Sequence, residues 1–247
     1  MIARFCIKPF GFRDAQFYAS LEYSVFTEFP MAESKSILLL SGGLDSTVAL
    51  YWALDHGQAV ETLSFEYFRR SKREIAACTK ISKTADCPNR IIRLDFLKEI
   101  DDLKTQRKNH ALDRAPSAYI PSRNIIFYGI AASIAEISDS RFIIGGHNKD
   151  DVKSFPDAST YFFKSLNQTM TKGRISGART GRIILPLSKL SKREVIQLGI
   201  KLGVPFEDTW SCYKSDKEPC RSCPSCVLRA NAFREARLPD PLLRRFD

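Results

Sequence analysis

Seven consecutive residues, Ser41-Gly42-Gly43-Leu44-Asp45-Ser46-Thr47, carry the strongest chemical signal in the chain. They follow the apolar run 37–40 and open a helix-like segment at 47–56. Two glycines let a backbone turn sharply and approach an anion, which would face the N–H groups and positive dipole end of the following helix. Ser41, Ser46 and Thr47 add hydroxyl donors. The loop does not close on a lysine, so it differs from the NTPase phosphate loop that ends in Lys and Ser or Thr. The alternative is a glycine-rich strand-to-helix turn with no ligand.

A second constellation lies near the C-terminus, where Cys212, Cys220, Cys223 and Cys226 form C-x7-C-x2-C-x2-C. Short turns at that spacing bring four soft thiolates around one tetrahedral ion, and Zn²⁺ is the expected metal. Pro219 and Pro224 stiffen the turns, and Arg221 offsets negative charge. Four sulfurs leave no position for an activated water, so the ion should hold the tail together rather than do chemistry. A redox pair would need only two of these cysteines, and disulfides would be unusual in a reducing compartment. Cys6, Cys78 and Cys87 are scattered and read as free thiols.

Both constellations need a scaffold. Strand signals at 37–40, 60–65, 91–94 and 142–145 alternate with helix signals at 47–56, 71–85 and 122–137, the last expected to be strongly amphipathic. This alternation predicts an α/β fold, a parallel sheet with helices on both faces and ligands at the carboxyl ends of the strands. Three segments are expected: an aromatic-rich arm at 1–35, a nucleotide-binding domain at 36–205 and a zinc-binding segment at 206–247. The arm holds eight aromatics, among them Phe5, Phe10, Tyr18 and Phe29, too many for a disordered leader, so it should pack on something.

At 247 residues, 44% hydrophobic and 27% charged, the chain can bury a full core, and no apolar run suits a membrane span. A cytoplasmic location is expected. The net charge of +10 suits an anionic partner, but ATP, an acidic small molecule and nucleic acid would all qualify. The basic runs at 69–73, 104–108 and 172–182 read as solvated faces.

The S-G-G-x-D-S form resembles the pyrophosphatase (PP) loop, whose enzymes split ATP between its α and β phosphates. Together with the cysteines it makes residues 36–233 similar to the 7-cyano-7-deazaguanine synthase (QueC) family. Thr209-Trp210-Ser211-Cys212-Tyr213, Pro219-Cys220, Cys223, Cys226, Arg229-Ala230 and Phe233 resemble that family's terminal signature. Ile120-Pro121-Ser122-Arg123-Asn124 resembles its V-P-A-R-N motif, and Pro186-Leu187 with Lys192 its P-L-x-x-x-x-K segment. Gly146, Asn148, Asp151, Phe155, Pro156 and Asp157 match its G-x-N-x-x-D-x-x-x-Y-P-D loop, where His147 reads as a spectator.

The resemblance implies a Rossmann-like PP-loop fold and adenylation of 7-carboxy-7-deazaguanine by ATP. Ammonia then gives an amide, and a second adenylation gives the nitrile used in queuosine biosynthesis. It implies that Ser41 to Thr47 and Phe65 bind ATP, that Asp45 places Mg²⁺, and that Arg123 and Lys192 stabilise departing pyrophosphate. Asn124, Asn148, Asp151 and Asp157 would bind the guanine-like base, and a homodimer is implied.

Departures fall near the chemistry. Phe65-Glu66-Tyr67-Phe68-Arg69-Arg70-Ser71 stands where the family has F-D-Y-G-Q-R-H, and Ala158-Ser159 where it has Cys-Arg. They keep a second reading open: a QueC-like ligase of antiviral (CBASS-type) defence, joining the activated deazaguanine to a protein amine. A third, a PP-loop enzyme modifying tRNA, would make the charge a nucleic-acid footprint. The QueC-like motifs are more specific than charge, so direct nucleic-acid binding is not expected.

Overall fold

The computed structural model describes residues 34–106, 112, 115, 119–178 and 181–246. Most of the aromatic arm therefore lies outside the described residues, as do Cys6 and His110. Strands β1 (Lys35–Leu39), β2 (Ala59–Glu66), β3 (Asn89–Arg93), β4 (Phe142–Ile144) and β5 (Arg182–Ile184) form one parallel sheet in the order β3-β2-β1-β4-β5. Side chains alternate across a strand, and β1 buries both sets: Ile37 and Leu38 are each almost fully covered. Ile143 and Ile144 repeat the pattern in β4.

Helices α1 (Leu44–Asp55), α2 (Lys72–Thr84), α3 (Phe96–Gln106), α4 (Arg123–Ile137), α5 (Thr160–Gly173), α6 (Lys192–Lys201) and α7 (Pro224–Glu235) cover and extend this sheet. Capping boxes, Ser71 with Glu74 and Ser191 with Glu194, start α2 and α6 by satisfying backbone donors at both helix entrances. On one face Ile37, Leu63, Phe65, Ile143 and Ile183 pack with Tyr128, Ala131 and Ala135 of α4. That helix was expected to be strongly amphipathic, yet it carries apolar residues outward too, with Ile125 and Ile137 exposed. Buried polar residues in β2 are satisfied across the sheet: Thr62 and Ser64 hydroxyls both donate to Asn89 Oδ1.

At the β5 edge a side chain stands in for a strand. Asn167 of α5 accepts from the Ile183 N–H at 2.8 Å and donates to the Ile183 carbonyl at 2.9 Å.

The C-terminal segment is anchored by Arg229 of α7. Its guanidinium pairs with Asp240 at 2.6 and 2.8 Å and donates to Thr209 Oγ1 at 2.7 Å and the Phe206 carbonyl at 3.0 Å. No helix among the described residues is long and apolar enough to cross a membrane.

The strand order reverses direction at β1, whose neighbours on its two sides are β2 and β4. In open sheets of this kind, ligands bind at the carboxyl ends beside that switch point. The loops leaving β1 and β4 are the ones found there.

Candidate active site and metal centre

The β1 loop turns on Gly42, at φ +75°, where an added Cβ would stand 2.6 Å from the Glu74 carbonyl. A side chain there would meet both strain and a clash. Neighbouring carbonyls are held from outside the loop: Arg70 Nη2 donates to the Ser41 oxygen at 2.6 Å, and the Trp210 N–H to the Gly42 oxygen at 2.8 Å. The loop hydroxyls close the turn on itself. Ser41 Oγ lies 2.9 Å from Ser46 Oγ, and Thr47 Oγ1 donates to the Gly43 carbonyl at 2.7 Å.

Three of the residues singled out in the sequence have buried side chains. The Phe65 side chain is buried in the sheet, stacked on Phe127 at 4.4 Å, and packs in the core. Arg70, read as part of a solvated run, has a side chain only 7% exposed; its guanidinium faces Glu74 while reaching the Ser41 carbonyl. Leu44 is likewise buried, holding the first turn of α1 rather than facing solvent.

The β4 loop meets the first one backbone to backbone, because a Cβ at Gly146 would stand 2.7 Å from both N and Cα of Ser46. Asn148, expected to touch the base, is buried and has its amide engaged inside this junction. Its Nδ2 donates to Asp45 Oδ1 at 3.1 Å, and its Oδ1 accepts from the Asp150 N–H at 2.8 Å. Asp150 in turn accepts from the Lys192 N–H at 3.0 Å, fixing the start of α6. From there Lys192 Nζ pairs with the Asp45 carboxylate. Asp45, Asn148 and Lys192, separated by up to 147 positions in sequence, thus form one connected group.

Beside this group is a cleft of about 190 Å³, lined in part by Arg123, Asn124, His147, Asp151, Phe155 and Asp157. Asn124 Nδ2 donates to the Asp157 carbonyl at 2.9 Å, joining the start of α4 to the turn before α5. Arg123 contacts the Tyr67 hydroxyl at 3.3 Å. His147, read as a spectator, lines the cleft between Tyr128 and Phe163, with ring centroids 6.0 and 5.2 Å away. A larger hollow of about 460 Å³ lies at the β5 edge and contains none of these residues.

Burial pushes the His147 imidazole down to about 4, and burial together with Asp45 pushes the Asp151 carboxyl up to about 6. The two groups are 4.0 Å apart and pull stability in opposite directions. A buried neutral histidine loses stability as pH falls through its unfolded value of about 6.5, because the unfolded chain then binds more protons. A carboxyl with a raised pKa loses stability as pH rises between about 3.9 and its folded value of about 6. Asp151→Asn should therefore raise Tm at pH 7.5 by about 2–4 °C and expose a decline below pH 6.5. His147→Gln should leave the opposite slope; matching Tm profiles for both variants between pH 4.5 and 7.5 would contradict this account.

The four predicted ligands do converge: the sulfurs of Cys212, Cys220, Cys223 and Cys226 all lie within 4.8 Å of one another. Cys220 and Cys226 sulfurs are 4.0 Å apart. A tetrahedral ion with metal–sulfur bonds of about 2.3 Å needs spacings of that order, so the donor set fits a Zn²⁺ ion. Backbone N–H groups of Cys220 and Cys223 already point at Cys212 and Cys220 sulfurs, at 3.4 and 3.3 Å, as thiolate ligands require.

With this geometry in place, a family model described as "Queuosine biosynthesis protein QueC" matches residues 35–237. The chain belongs to the QueC family. It is 38% identical over 221 residues to a 7-cyano-7-deazaguanine synthase of Thermoplasma acidophilum, covering 86% of this chain and 92% of that protein. The corresponding synthase of Trichodesmium erythraeum is 35% identical, covering 85% of this chain and all of that protein. Among solved structures, an NMN synthetase from Francisella tularensis is 18% identical, with TM-score 0.48, covering 87% of this chain and 82% of that one. The QueC-family chain is an enzyme of the ATP-dependent PP-loop class.

Proposed function

We propose that this QueC-family enzyme converts 7-carboxy-7-deazaguanine to its nitrile with ATP and ammonia. The observation that carries the reading is the junction of the glycine loop with Asp45, Lys192 and the Arg123–Asp157 cleft at one sheet switch point. A carboxylate resists ammonia because oxide is a poor leaving group. Its oxygen attacks the α-phosphorus of ATP, the α–β anhydride bond breaks and pyrophosphate leaves. Ammonia then adds to the acyl carbon, AMP departs with the C–O electron pair, and a proton is lost. The amide oxygen repeats the attack on a second ATP, releasing a second pyrophosphate; loss of both N–H protons and departure of AMP with the C–O electron pair leave the nitrile.

Several residues have roles in this scheme. The glycine loop and the start of α1 bind the phosphates through backbone N–H groups. Lys192 and Arg123 stabilise charge on pyrophosphate as it leaves. Asp157 and Asn124 hold the base in the cleft, while Asn148 positions Asp45 rather than touching substrate. Mg²⁺ on the phosphates would neutralise charge, and the Asp45 carboxylate, 22% exposed at the mouth of the loop, is the protein group suited to hold it. Zn²⁺ on the four cysteines would hold the tail. His147, neutral through the working pH range, gives the cleft an uncharged hydrogen-bonding wall. A homodimer and a cytoplasmic location accompany the proposal.

The test is product analysis by mass spectrometry with 7-carboxy-7-deazaguanine, ATP, Mg²⁺ and ammonium. Nitrile with two AMP per molecule is expected, and both carboxylate oxygens should end in AMP. An adenylate or amide that goes no further would sink nitrile synthesis and favour the ligase that uses a protein amine. Absence of substrate-dependent AMP would remove both.

A further inference from the structure

We propose that the four-cysteine centre positions the nucleotide loop through Trp210, so that metal and ATP bind cooperatively. The inference rests on the ATP reading above and adds a coupling between the metal centre and the nucleotide loop. Trp210 stands two residues before Cys212 and is tied at both ends. Its backbone N–H donates to the carbonyl of the pivot residue Gly42 at 2.8 Å, and its indole Nε1 donates to the carbonyl of Cys212 at 2.7 Å. The ring is 3% exposed, with the Arg73 guanidinium 5.0 Å from its centroid. Arg73 also donates its backbone N–H to Asp216, between the first two cysteines, at 3.3 Å.

A peptide group is planar and trans, so holding the Gly42 carbonyl fixes the Gly43 N–H on the opposite side. That N–H belongs to the set a phosphate would meet, and at rest it points to Ser41 Oγ at 3.3 Å. Trp210 therefore sets the direction of a loop donor. The stretch from Cys212 to Cys223 has neither helix nor strand and exposes Lys214, Asp216, Lys217 and Glu218. It has little apolar burial of its own, and the metal–sulfur bonds would supply its order. Upstream, Phe206 and Thr209 are held by Arg229 without any cysteine. Loss of the metal should therefore loosen Trp210 and its hold on Gly42 while the sheet stays folded.

The full-length chain, loaded with Zn²⁺ and then stripped by a chelator, would be titrated with ATP by calorimetry, with circular dichroism as the check on folding. Stripping is expected to weaken ATP binding roughly tenfold, and saturating ATP should tighten Zn²⁺ binding by the same factor, because coupling is reciprocal. The chain has two tryptophans, so Trp52→Phe makes Trp210 the sole indole reporter. Its emission should shift red on stripping and return when Zn²⁺ is restored. Equal ATP affinity in both folded forms would overturn the coupling and leave the ATP reading intact. A Zn²⁺-loaded chain that binds no ATP would overturn both. If the stripped chain unfolds, Trp210→Phe decides: it keeps the cysteines and the backbone N–H but cuts the indole link. Several-fold weaker ATP binding with Zn²⁺ retained supports the coupling, and unchanged ATP affinity overturns it.

Discussion

Arg229→Met is expected to remove about 3–5 kcal/mol of stability, the range for breaking a buried ion pair from one side. Both side chains are nearly inaccessible, at 3% and 4% exposure, so solvent cannot take over the lost partner. Asp240 would keep its charge with the Leu242 N–H, at 3.0 Å, among its remaining donors. The Phe206 carbonyl and Thr209 hydroxyl would lose a donor and a partner in the same step. Much of the cost is the stranded carboxylate rather than the net worth of the pair, so Arg229→Met with Asp240→Leu should recover part of it. Urea unfolding of the single and double variants measures this directly. A single variant within 1 kcal/mol of the parent would show that the pair is not what anchors the tail.

Lys192→Met is expected to lower the rate of AMP formation by about 10²–10³, the usual loss when one preorganised charge facing a transition state is removed. Lys192 is the first residue of α6, and the helix start is held by its backbone N–H on Asp150, which methionine keeps. Its ammonium rests on Asp45 at the mouth of the glycine loop and is 24% exposed, so it has room to move to a phosphate. Fold and thermal stability should change little, whereas kcat should fall much further than KM for ATP rises. Lys192→Arg should retain part of the rate because it keeps the charge, although not the compact ammonium. Less than a tenfold loss in Lys192→Met would reduce the contact with Asp45 to a structural ion pair.

Local signals were the most legible in the sequence. The glycine turn, the cysteine spacing and the apolar strands are each written in a few adjacent residues, and the parallel character of the sheet follows from strand–helix alternation. Strand β5, three residues long, is too short to show a period. Side-chain direction was less readable. The F-D-Y-G-Q-R-H-like segment placed Phe65 near the nucleotide, but its position in β2 turns it into the core, and Arg70 from the same segment reaches the loop instead. The retained arginine in that segment was the available signal for Arg70. Asn148 matched the family loop, yet its partners Asp45 and Asp150 could be known only once two distant loops met. Trp210 likewise matched the terminal signature without revealing that its backbone holds Gly42.

The Asn167 amide on Ile183 bears on how copies of this chain could associate. By occupying both outward backbone groups of the central β5 residue, it removes the hydrogen-bonding template that another strand would need. The sheet therefore has a built-in stop at that border. Any assembly across it must be made from side-chain surfaces, whose fit is particular to a partner, and not from main-chain pairing, which any extended peptide could offer.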